Sequence, residues 1–242
     1  MKIANHFNNK DVAQTIGTAK YYPDGNVSQE TEVVSVEHTI RIIVDGDVVI
    51  SVTCTPSDLA EMVLGRLCGE GIICDVSQVE GITINDDGSR ATVVTRNSDS
   101  TGRSHDALPE HNFTASDIFA AINAFHSNSA FHKETPAAHC CMLAGPGGQV
   151  HCVKEDIRRH TALDKTIGAG LLMGLHFSET AAFISGRVPA DMIIKVIRAG
   201  IPVLISKSVP TAETVKLAEK YGLTLITSAW PDSFTLCTGY IN

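Results

Sequence analysis

Apolar and polar residues alternate with the period of a β-strand in two stretches of the N-terminal half. The first, residues 33–53, is interrupted by Asp45 and Gly46, and an Asp-Gly pair supplies the positive φ that a tight hairpin turn needs. The second, residues 81–96, is interrupted in the same way by the tetrapeptide Asp-Asp-Gly-Ser. The pattern predicts two β-hairpins.

Helical spacing of apolar residues follows each of these stretches. Thr55-Pro56-Ser57-Asp58 has the composition of a helix start, and it precedes apolar residues three and four apart. We predict a helix that begins here and ends at Gly69 and Gly71. A second amphipathic helix is predicted over residues 114–130, and a shorter helix over residues 136–143.

The C-terminal half alternates regularly between the two kinds of element. Apolar strand-like runs occupy residues 149–153, 181–185, 202–206 and 223–227, and helical patterns separate them at about 160–175, 189–198 and 212–221. Such alternation builds right-handed βαβ units and parallel strands. The predicted fold class is α/β, with helices on both faces of the sheet.

The domain organisation follows from these elements. Residues 97–112 are polar and without periodicity, so they are predicted to form a mobile loop. No linker rich in Pro, Gly or charge marks a firm boundary. We assign residues 1–32 to an N-terminal extension and residues 33–242 to one α/β domain, with a division into subdomains 33–113 and 114–242 as the alternative.

Composition limits the function classes. The net charge of −8 argues against a general nucleic-acid-binding protein, because such proteins cluster Lys and Arg. No apolar run is long enough to span a bilayer and the N-terminus has no apolar signal core, so a cytoplasmic protein without membrane partners is expected. The seven cysteines are odd in number and irregular in spacing, which indicates thiols and no metal site.

The turns after the predicted parallel strands are candidates for a ligand site, since ligands collect beyond the carboxyl ends of such strands. Donor and cationic residues occur at Gly186-Arg187, Lys207-Ser208, Thr211 and Ser228-Ala229-Trp230. Helix starts at Pro189 and Ala212 add unpaired N–H groups that suit phosphate. Plain turn chemistry is the alternative at each position.

Residues 155–165 are unusually rich in polar and ionisable side chains. With a helix starting near Asp156, His160 and Asp164 share one face, where the carboxylate can orient the imidazole. A solvated helix start with local ion pairs is the alternative.

Cys140 and Cys141 are adjacent thiols in the first turns of the shorter predicted helix, beside His139. A helix N-terminus and an imidazolium both lower the pKa of a thiol, which makes these two cysteines the candidate catalytic residues. Packing as small apolar residues is the alternative. The glycines near residues 145 and 168 do not form a dinucleotide-binding motif, and no deaminase zinc motif is present.

Three segments resemble the formate dehydrogenase accessory sulfurtransferases. They are EDIRRHTALDKTIG, TPSDLAEMVLGRLCGEGII and the long run from SGRVPADM to GLTLI. The similarity extends over about residues 33–239. It implies a cytidine-deaminase-like three-layer α/β/α fold with a mixed sheet, and a homodimer.

The resemblance also implies a function. Members of the family relay sulfur from a cysteine desulfurase to the molybdenum bis-molybdopterin guanine dinucleotide cofactor before its insertion into formate dehydrogenase, and they bind the guanine nucleotide part. The family's cofactor-binding segment matches Phe234, Thr235, Leu236, Cys237, Thr238 and Gly239 here, with Cys237 where an aromatic residue is usual.

The chain departs from the family at its sulfur-carrying motif. Members have a C-x-x-C after the second hairpin, whereas this chain has RNSDSTGRSHDALPEH there, without cysteine. Arg158 also replaces the glycine of the E-D-V-G-R-H motif. Two hypotheses follow: a divergent sulfur carrier that uses Cys140 or Cys141, and a chaperone that holds the guanine dinucleotide cofactor without moving sulfur.

Overall fold

The computed structural model describes residues 1–96, 107–128 and 138–242, and the predicted loop 97–112 falls largely outside them. The described part contains thirteen strands and five α-helices. The helices are α1 (Leu59–Glu70), α2 (Ala115–Asn128), α3 (Arg159–Met173), α4 (Ala190–Ala199) and α5 (Ala212–Tyr221). The fold is α/β, as predicted, and the more specific likeness to cytidine deaminases stays a prediction.

A five-stranded sheet comes from the N-terminal half. Its strand order is β1-β6-β7-β4-β5, built from β1 (Lys2–Asn5), β4 (His38–Val44), β5 (Val48–Cys54), β6 (Val79–Ile84) and β7 (Arg90–Thr95). Both predicted hairpins are confirmed, since β4 pairs with β5 and β6 with β7 in antiparallel register. The first begins at His38, because residues 33–35 belong to the preceding strand. Asp45 and Gly46 take the predicted positive φ in the first turn.

A six-stranded sheet comes from the C-terminal half, in the order β13-β12-β11-β10-β8-β9. Its strands are β8 (His139–Ala144), β9 (Val150–Asp156), β10 (Ala181–Ile184), β11 (Val203–Ser206), β12 (Thr224–Trp230) and β13 (Ser233–Thr238). Strands β10, β11 and β12 are parallel, and α4 and α5 connect them. The predicted βαβ units are therefore confirmed.

The six-stranded sheet separates two hydrophobic clusters. One face, with residues such as Leu143, Ile184 and Leu204, contributes to a large core that also includes α1, α3, α4 and the five-stranded sheet. The other face, with Met142 and Phe183, packs against α2 in a smaller cluster. Helices therefore cover both faces of this sheet, and the five-stranded sheet closes the large core on its far side.

Helices α1 and α3 pack with their backbones in contact. A Cβ atom built on Gly65 would lie 1.7 Å from the carbonyl oxygen of Asp164, and one built on Gly168 would lie 1.8 Å from the carbonyl oxygen of Glu61. Such distances exclude any side chain. Glycine at both positions is what lets the two helices approach this closely.

Two details of the predicted helices are wrong. The helix predicted to begin at Thr55 has its N-cap at Asp58, in the left-handed conformation. Its predicted end is confirmed at Gly71, the left-handed C-cap, whereas Gly69 lies inside the helix. Residues 139–144 form strand β8 and not a helix, because a short apolar run fits a strand buried on both faces as well as a helix. Residues 136 and 137 of that predicted helix lie outside the described residues.

The predicted N-terminal extension contains three strands. β1 joins the five-stranded sheet in parallel register with β6, while β2 (Ala13–Tyr21) and β3 (Val27–Ser35) form a separate antiparallel ribbon. Strand β3 runs across the proposed boundary between residues 32 and 33. The division into domains stays a prediction.

Candidate functional site

The carboxyl edge of the six-stranded sheet gathers residues from every one of its strands. The parallel strands β10, β11 and β12 all end there. β8 begins there because it runs antiparallel to β10, and β9 ends there because it runs antiparallel to β8. In α/β sheets, ligands bind beyond the carboxyl ends of the parallel strands, which makes this edge the candidate site.

Two serine hydroxyls form hydrogen bonds between the turns at this edge. Ser206 Oγ donates to the carbonyl oxygen of Gly186 at 3.0 Å and accepts from the backbone N–H of Ser208 at 3.0 Å. Ser185 Oγ accepts from the N–H of Cys140 at 3.0 Å. The loops that follow β10 and β11 are therefore held in place by the sheet itself.

Gly186 provides a close approach between β8 and the start of α3. A Cβ atom at this position would lie 3.0 Å from Nδ1 of His139 and 3.8 Å from Cδ of Arg159. An imidazole and a guanidinium side chain thus lie beside the turn after β10. The Arg159 Nε atom is buried and has no hydrogen-bond partner among the residues that the structure describes.

Lys207 and Trp230 form the other side of the same edge. The Lys207 ammonium lies 5.2 Å from the centre of the Trp230 ring and 5.9 Å from that of Phe125. Trp230 is 46% exposed, and the ring of His126, at the end of α2, lies 6.1 Å from it. A cation held between aromatic rings beside an exposed indole suits a ligand with both phosphate and a flat ring.

Ser228 adds local strain to this edge. It has φ 46° within β12, where the pairing with β13 shifts register. A residue other than glycine in the left-handed region is costly and is more frequent at functional sites.

The structure brings together only part of the predicted rim. Lys207, Ser208, Ser228 and Trp230 are neighbours at the edge, and Arg187 is exposed in the turn after β10. His139, Arg159 and His126 belong to the same edge but were not predicted as a group. No periodicity in the sequence indicates that α2 packs on this sheet or that β8 runs antiparallel to β10.

The predicted cofactor segment, Phe234 to Gly239, extends along β13 from one edge of the sheet to the other. Its first residue lies at the carboxyl edge, where the Phe234 ring packs 5.0 Å from that of Phe119. At the opposite end Thr238 pairs with Leu225, and Gly239 contacts Thr224. Cofactor binding by Phe234, Thr235, Leu236, Cys237, Thr238 and Gly239 stays a prediction, and Phe234 is the member nearest the site.

The reasons for proposing Cys140 and Cys141 as catalytic thiols do not hold in the structure. Both lie in strand β8, with exposed fractions of 0% and 1%, and not at a helix N-terminus. They point to opposite faces of the sheet, Cys140 toward α2 and Cys141 into the large core.

Their thiols are also held in the protonated form. Burial raises the pKa of Cys140, and the Glu155 carboxylate raises it further against the opposing effect of Lys207. Burial likewise raises the pKa of Cys141 well above its usual value. Since the thiolate is the nucleophile, both cysteines are poorly prepared for sulfur transfer in this conformation.

The remaining cysteines are also free thiols. Burial raises the pKa of Cys54 to about 12 and that of Cys152 to about 11. Cys68 is buried, whereas Cys74 and Cys237 are half-buried. Within the described residues, no three His, Cys, Asp or Glu side chains come together in a way that could hold a metal ion.

The predicted pairing of His160 with Asp164 is wrong. Helix α3 begins at Arg159, after Asp156 has ended β9, and the nearest carboxylate to His160 is Asp191, at 3.6 Å from Nε2. Asp164 is fully buried and binds the Lys195 ammonium at 2.6 Å. Because Lys195 lies on α4, this ion pair joins α3 to α4.

Asp156 and Lys165 form a second buried ion pair. Their charged atoms are 2.7 Å apart, and both side chains are completely inaccessible to water. Asp156 also accepts from Thr55 N–H and Oγ1 at 3.0 Å each and from Thr161 Oγ1 at 2.6 Å. Lys165 donates to Thr55 Oγ1 at 2.6 Å. These hydrogen bonds and the ion pair connect the start of α3 to the loop before α1.

A cavity of about 700 Å³ opens at the opposite edge of the six-stranded sheet. Its lining has no Lys or Arg but includes Glu110 and Glu179. His111 is occupied, because Nε2 bonds to Thr224 Oγ1 at 2.8 Å and Nδ1 accepts from Phe113 N–H at 3.2 Å. An anionic ligand suits the carboxyl edge better than this cavity.

Comparison with known proteins agrees with this fold. A sequence profile of the FdhD/NarQ family matches residues 35–108 and 97–240. A sulfur carrier protein FdhD from Methanothermobacter thermautotrophicus is 31% identical over 204 residues, covering 77% of this chain and 82% of that protein. One from Geobacillus kaustophilus is 28% identical over 239 residues, covering 85% and 88%.

A solved structure shares the whole fold. The crystal structure of a putative formate dehydrogenase accessory protein from Desulfotalea psychrophila superposes with a TM-score of 0.82, at 26% identity, over 93% of this chain and 96% of that one. The two matched ranges of the family profile together cover residues 35–240, which include the buried network and the carboxyl edge. The chain therefore belongs to the FdhD/NarQ family.

Proposed function

We propose that this protein is an accessory factor for formate dehydrogenase that holds the guanine dinucleotide part of the molybdenum bis-molybdopterin guanine dinucleotide cofactor. In this proposal it does not carry sulfur on its own cysteines. The observation that carries it is the group of cationic and aromatic side chains at the carboxyl edge, Arg159, Lys207, His139 and Trp230, in a chain of net charge −8.

The residues at the edge suit such a cargo. Phosphate oxygens would accept hydrogen bonds from Arg159 and Lys207, and an exposed indole offers a surface on which a flat guanine ring can stack. Because Gly186 has no side chain, His139 and Arg159 can lie close to the turn after β10. The protein would then position the cofactor and shield it before delivery to formate dehydrogenase in the cytoplasm.

Guanosine diphosphate is the probe for this function. A ligand that binds the native state raises the melting temperature by mass action, so we expect a rise with millimolar nucleotide for the unmodified protein. Lys207→Gln should weaken binding about tenfold, because a charge-assisted contact to phosphate is lost. Lys216→Gln is the matched control, since Lys216 is 72% exposed on α5. An unchanged melting temperature at saturating nucleotide would contradict the proposal.

A sulfur-carrying function is the second candidate. It is favoured by the names of the curated relatives and by Lys207, whose charge lowers the pKa of Cys140 against the effect of burial. The test is incubation with a cysteine desulfurase, a partner implied by the family, and radiolabelled cysteine sulfur. We expect no label on Cys140 or Cys141; retained label that Cys140→Ser removes would establish the carrier function instead.

A further inference from the structure

A second cavity adjoins the cavity of about 700 Å³ at the opposite edge of the six-stranded sheet. It has a volume of about 250 Å³, and its lining includes Cys74, Asp75 and Gly200. The residues that line both cavities are Pro109, Gly174, Leu175, His176 and Ser178. The two cavities therefore form one continuous depression, hereafter the amino-edge groove.

The amino-edge groove crosses the amino ends of the parallel strands. His151 lines it near the start of β9, Thr180 lines it immediately before β10, and Gly200 lines it shortly before β11. Strand β8 lies between β9 and β10 in the sheet. Since neighbouring strands are about 4.8 Å apart, the distance from β9 to β11 is about 14 Å. About four residues of extended chain have that length.

The fixed charges of the groove are all negative. Glu110 and Glu179 line the larger cavity and Asp75 lines the smaller one, and each of these residues is exposed. Neither lining contains Lys or Arg in the part of the chain that the structure describes. The groove therefore favours an occupant with positive charge and disfavours an anion.

Two helix ends add partial negative charge to the same groove. The C-cap residues of α3 and α4 are Gly174 and Gly200, and both line the groove. The C-terminus of a helix carries a partial negative charge from its free carbonyl groups. The last turn of α3 consists of uncharged residues, glycine, leucine and methionine. In the last turn of α4, Arg198 donates to the carbonyl oxygen of Gly69 on α1 at 2.6 Å.

Apolar side chains line the groove between the carboxylates. They include Pro109, Pro146 and Leu175. Lys and Arg side chains bury their methylene stems on apolar surface while the charged end remains in water or on a carboxylate. A lining of this kind suits Lys or Arg side chains better than an inorganic cation, for which the described residues offer no cluster of three ligands.

We propose that the amino-edge groove binds an extended segment of a partner protein that carries Lys or Arg at alternate positions. In an extended chain such side chains lie on one face about 7 Å apart, so that one side chain enters each cavity. Glu110 and Glu179 receive one cation and Asp75 receives the other. The inference does not rest on the proposed function, because the groove and the carboxyl edge lie at opposite ends of the strands.

The probe for this site is a fluorescein-labelled pentapeptide with arginine at its second and fourth positions and alanine elsewhere. Fluorescence anisotropy should show binding to the wild type that weakens as the salt concentration rises. Glu110→Gln and Glu179→Gln should each raise the dissociation constant about threefold, because one exposed charge contact is lost. Glu213→Gln removes a carboxylate of α5 that is 62% exposed and lies in neither lining, so it should have no effect.

A stronger test places a cation inside the groove. Ser178 is exposed and lines both cavities, whereas Ser127 is exposed near the end of α2. Ser178→Lys should weaken binding of the pentapeptide at least about tenfold, because the new ammonium repels arginine and fills part of the groove. Ser127→Lys makes the same change in net charge and should leave the dissociation constant unchanged.

Three results would each overturn the proposal. They are no binding of the pentapeptide to the wild type, equal effects of the groove variants and their controls, and equally tight binding of arginine amide alone. The last result would mean that the groove takes a small cation and not a chain segment. Binding of the pentapeptide as expected, without a rise in melting temperature on addition of guanosine diphosphate, would support this inference and contradict only the proposed function.

Discussion

Charged side chains of one short segment, residues 155–165, occupy two opposite environments. Asp156, Asp164 and Lys165 are completely buried and paired within the fold. Arg158 and Arg159, on the same segment, lie at the carboxyl edge, where Arg158 is exposed. A dense run of ionisable residues can therefore stabilise the fold through buried ion pairs and also contribute side chains to the candidate site. Burial and partner decide which role each residue has.

The largest effect is expected from breaking the buried network. Asp156→Ala leaves the Lys165 ammonium without a carboxylate in a place that water does not reach, and such a loss costs about 3 to 5 kcal/mol of the free energy of unfolding. Urea denaturation measures it. A loss below about 1 kcal/mol would mean that Asp156 behaves like a surface charge. The buried and the edge charges of this segment would then not differ in their contribution to stability.

A substitution at the carboxyl edge is expected to affect ligand binding more than stability. Arg159→Gln should change the free energy of unfolding by no more than about 0.5 kcal/mol, because its Nε has no hydrogen-bond partner in the described residues. Binding of guanosine diphosphate, measured by calorimetry, should weaken about tenfold. A loss of stability with unchanged nucleotide binding would mean that Arg159 stabilises the fold and does not bind the ligand.

The cysteine thiols differ in accessibility between the surface and the core. We expect a thiol reagent at pH 8 to modify Cys74 and Cys237 first, since these are half-buried. Cys140 and Cys141 should react only on unfolding, because burial raises the pKa of both. Rapid modification of Cys140 in the folded protein would favour the sulfur-carrying function.

The smallest expected effect is on the pH dependence of stability, and it comes from the buried side chain of His111. Burial lowers the pKa of His111 below its usual 6.5. The unfolded chain therefore takes up this proton at a higher pH than the folded chain does. Stability from this group is present above pH 6.5 and is lost as the pH falls below it toward the folded pKa. Thermal unfolding of His111→Gln between pH 7.5 and 5 should show a flatter pH dependence than the wild type; an identical slope would contradict this assignment.

Most of the fold could be predicted because local patterns determine it. The Asp45-Gly46 turn and the alternation of β10 to β12 with α4 and α5 each depend on a few neighbouring residues. Strand β8 could not be predicted, because the apolar run His-Cys-Cys-Met-Leu-Ala has no period that separates a buried strand from a helix. Its pairing with β9 and β10 is a long-range property.

The candidate site was predicted less completely than the fold. Lys207 and Trp230 could be found because both follow parallel strands, whose carboxyl ends meet at one edge. His126 and His139 could not, since they reach the edge from α2 and from an antiparallel strand. The burial of Asp164 could not be predicted from the sequence either, because its ion-pair partner Lys195 lies on another helix.

The glycine contact between α1 and α3 has a mechanical consequence. With Gly65 and Gly168 allowing backbone against backbone, a side chain introduced at either position would force the two helices apart. Because both helices lie in the core that the two sheets share, this contact couples one sheet to the other. We expect a single unfolding transition for the whole chain. A displacement of the five-stranded sheet would also shift the edge that carries Arg159 and Lys207.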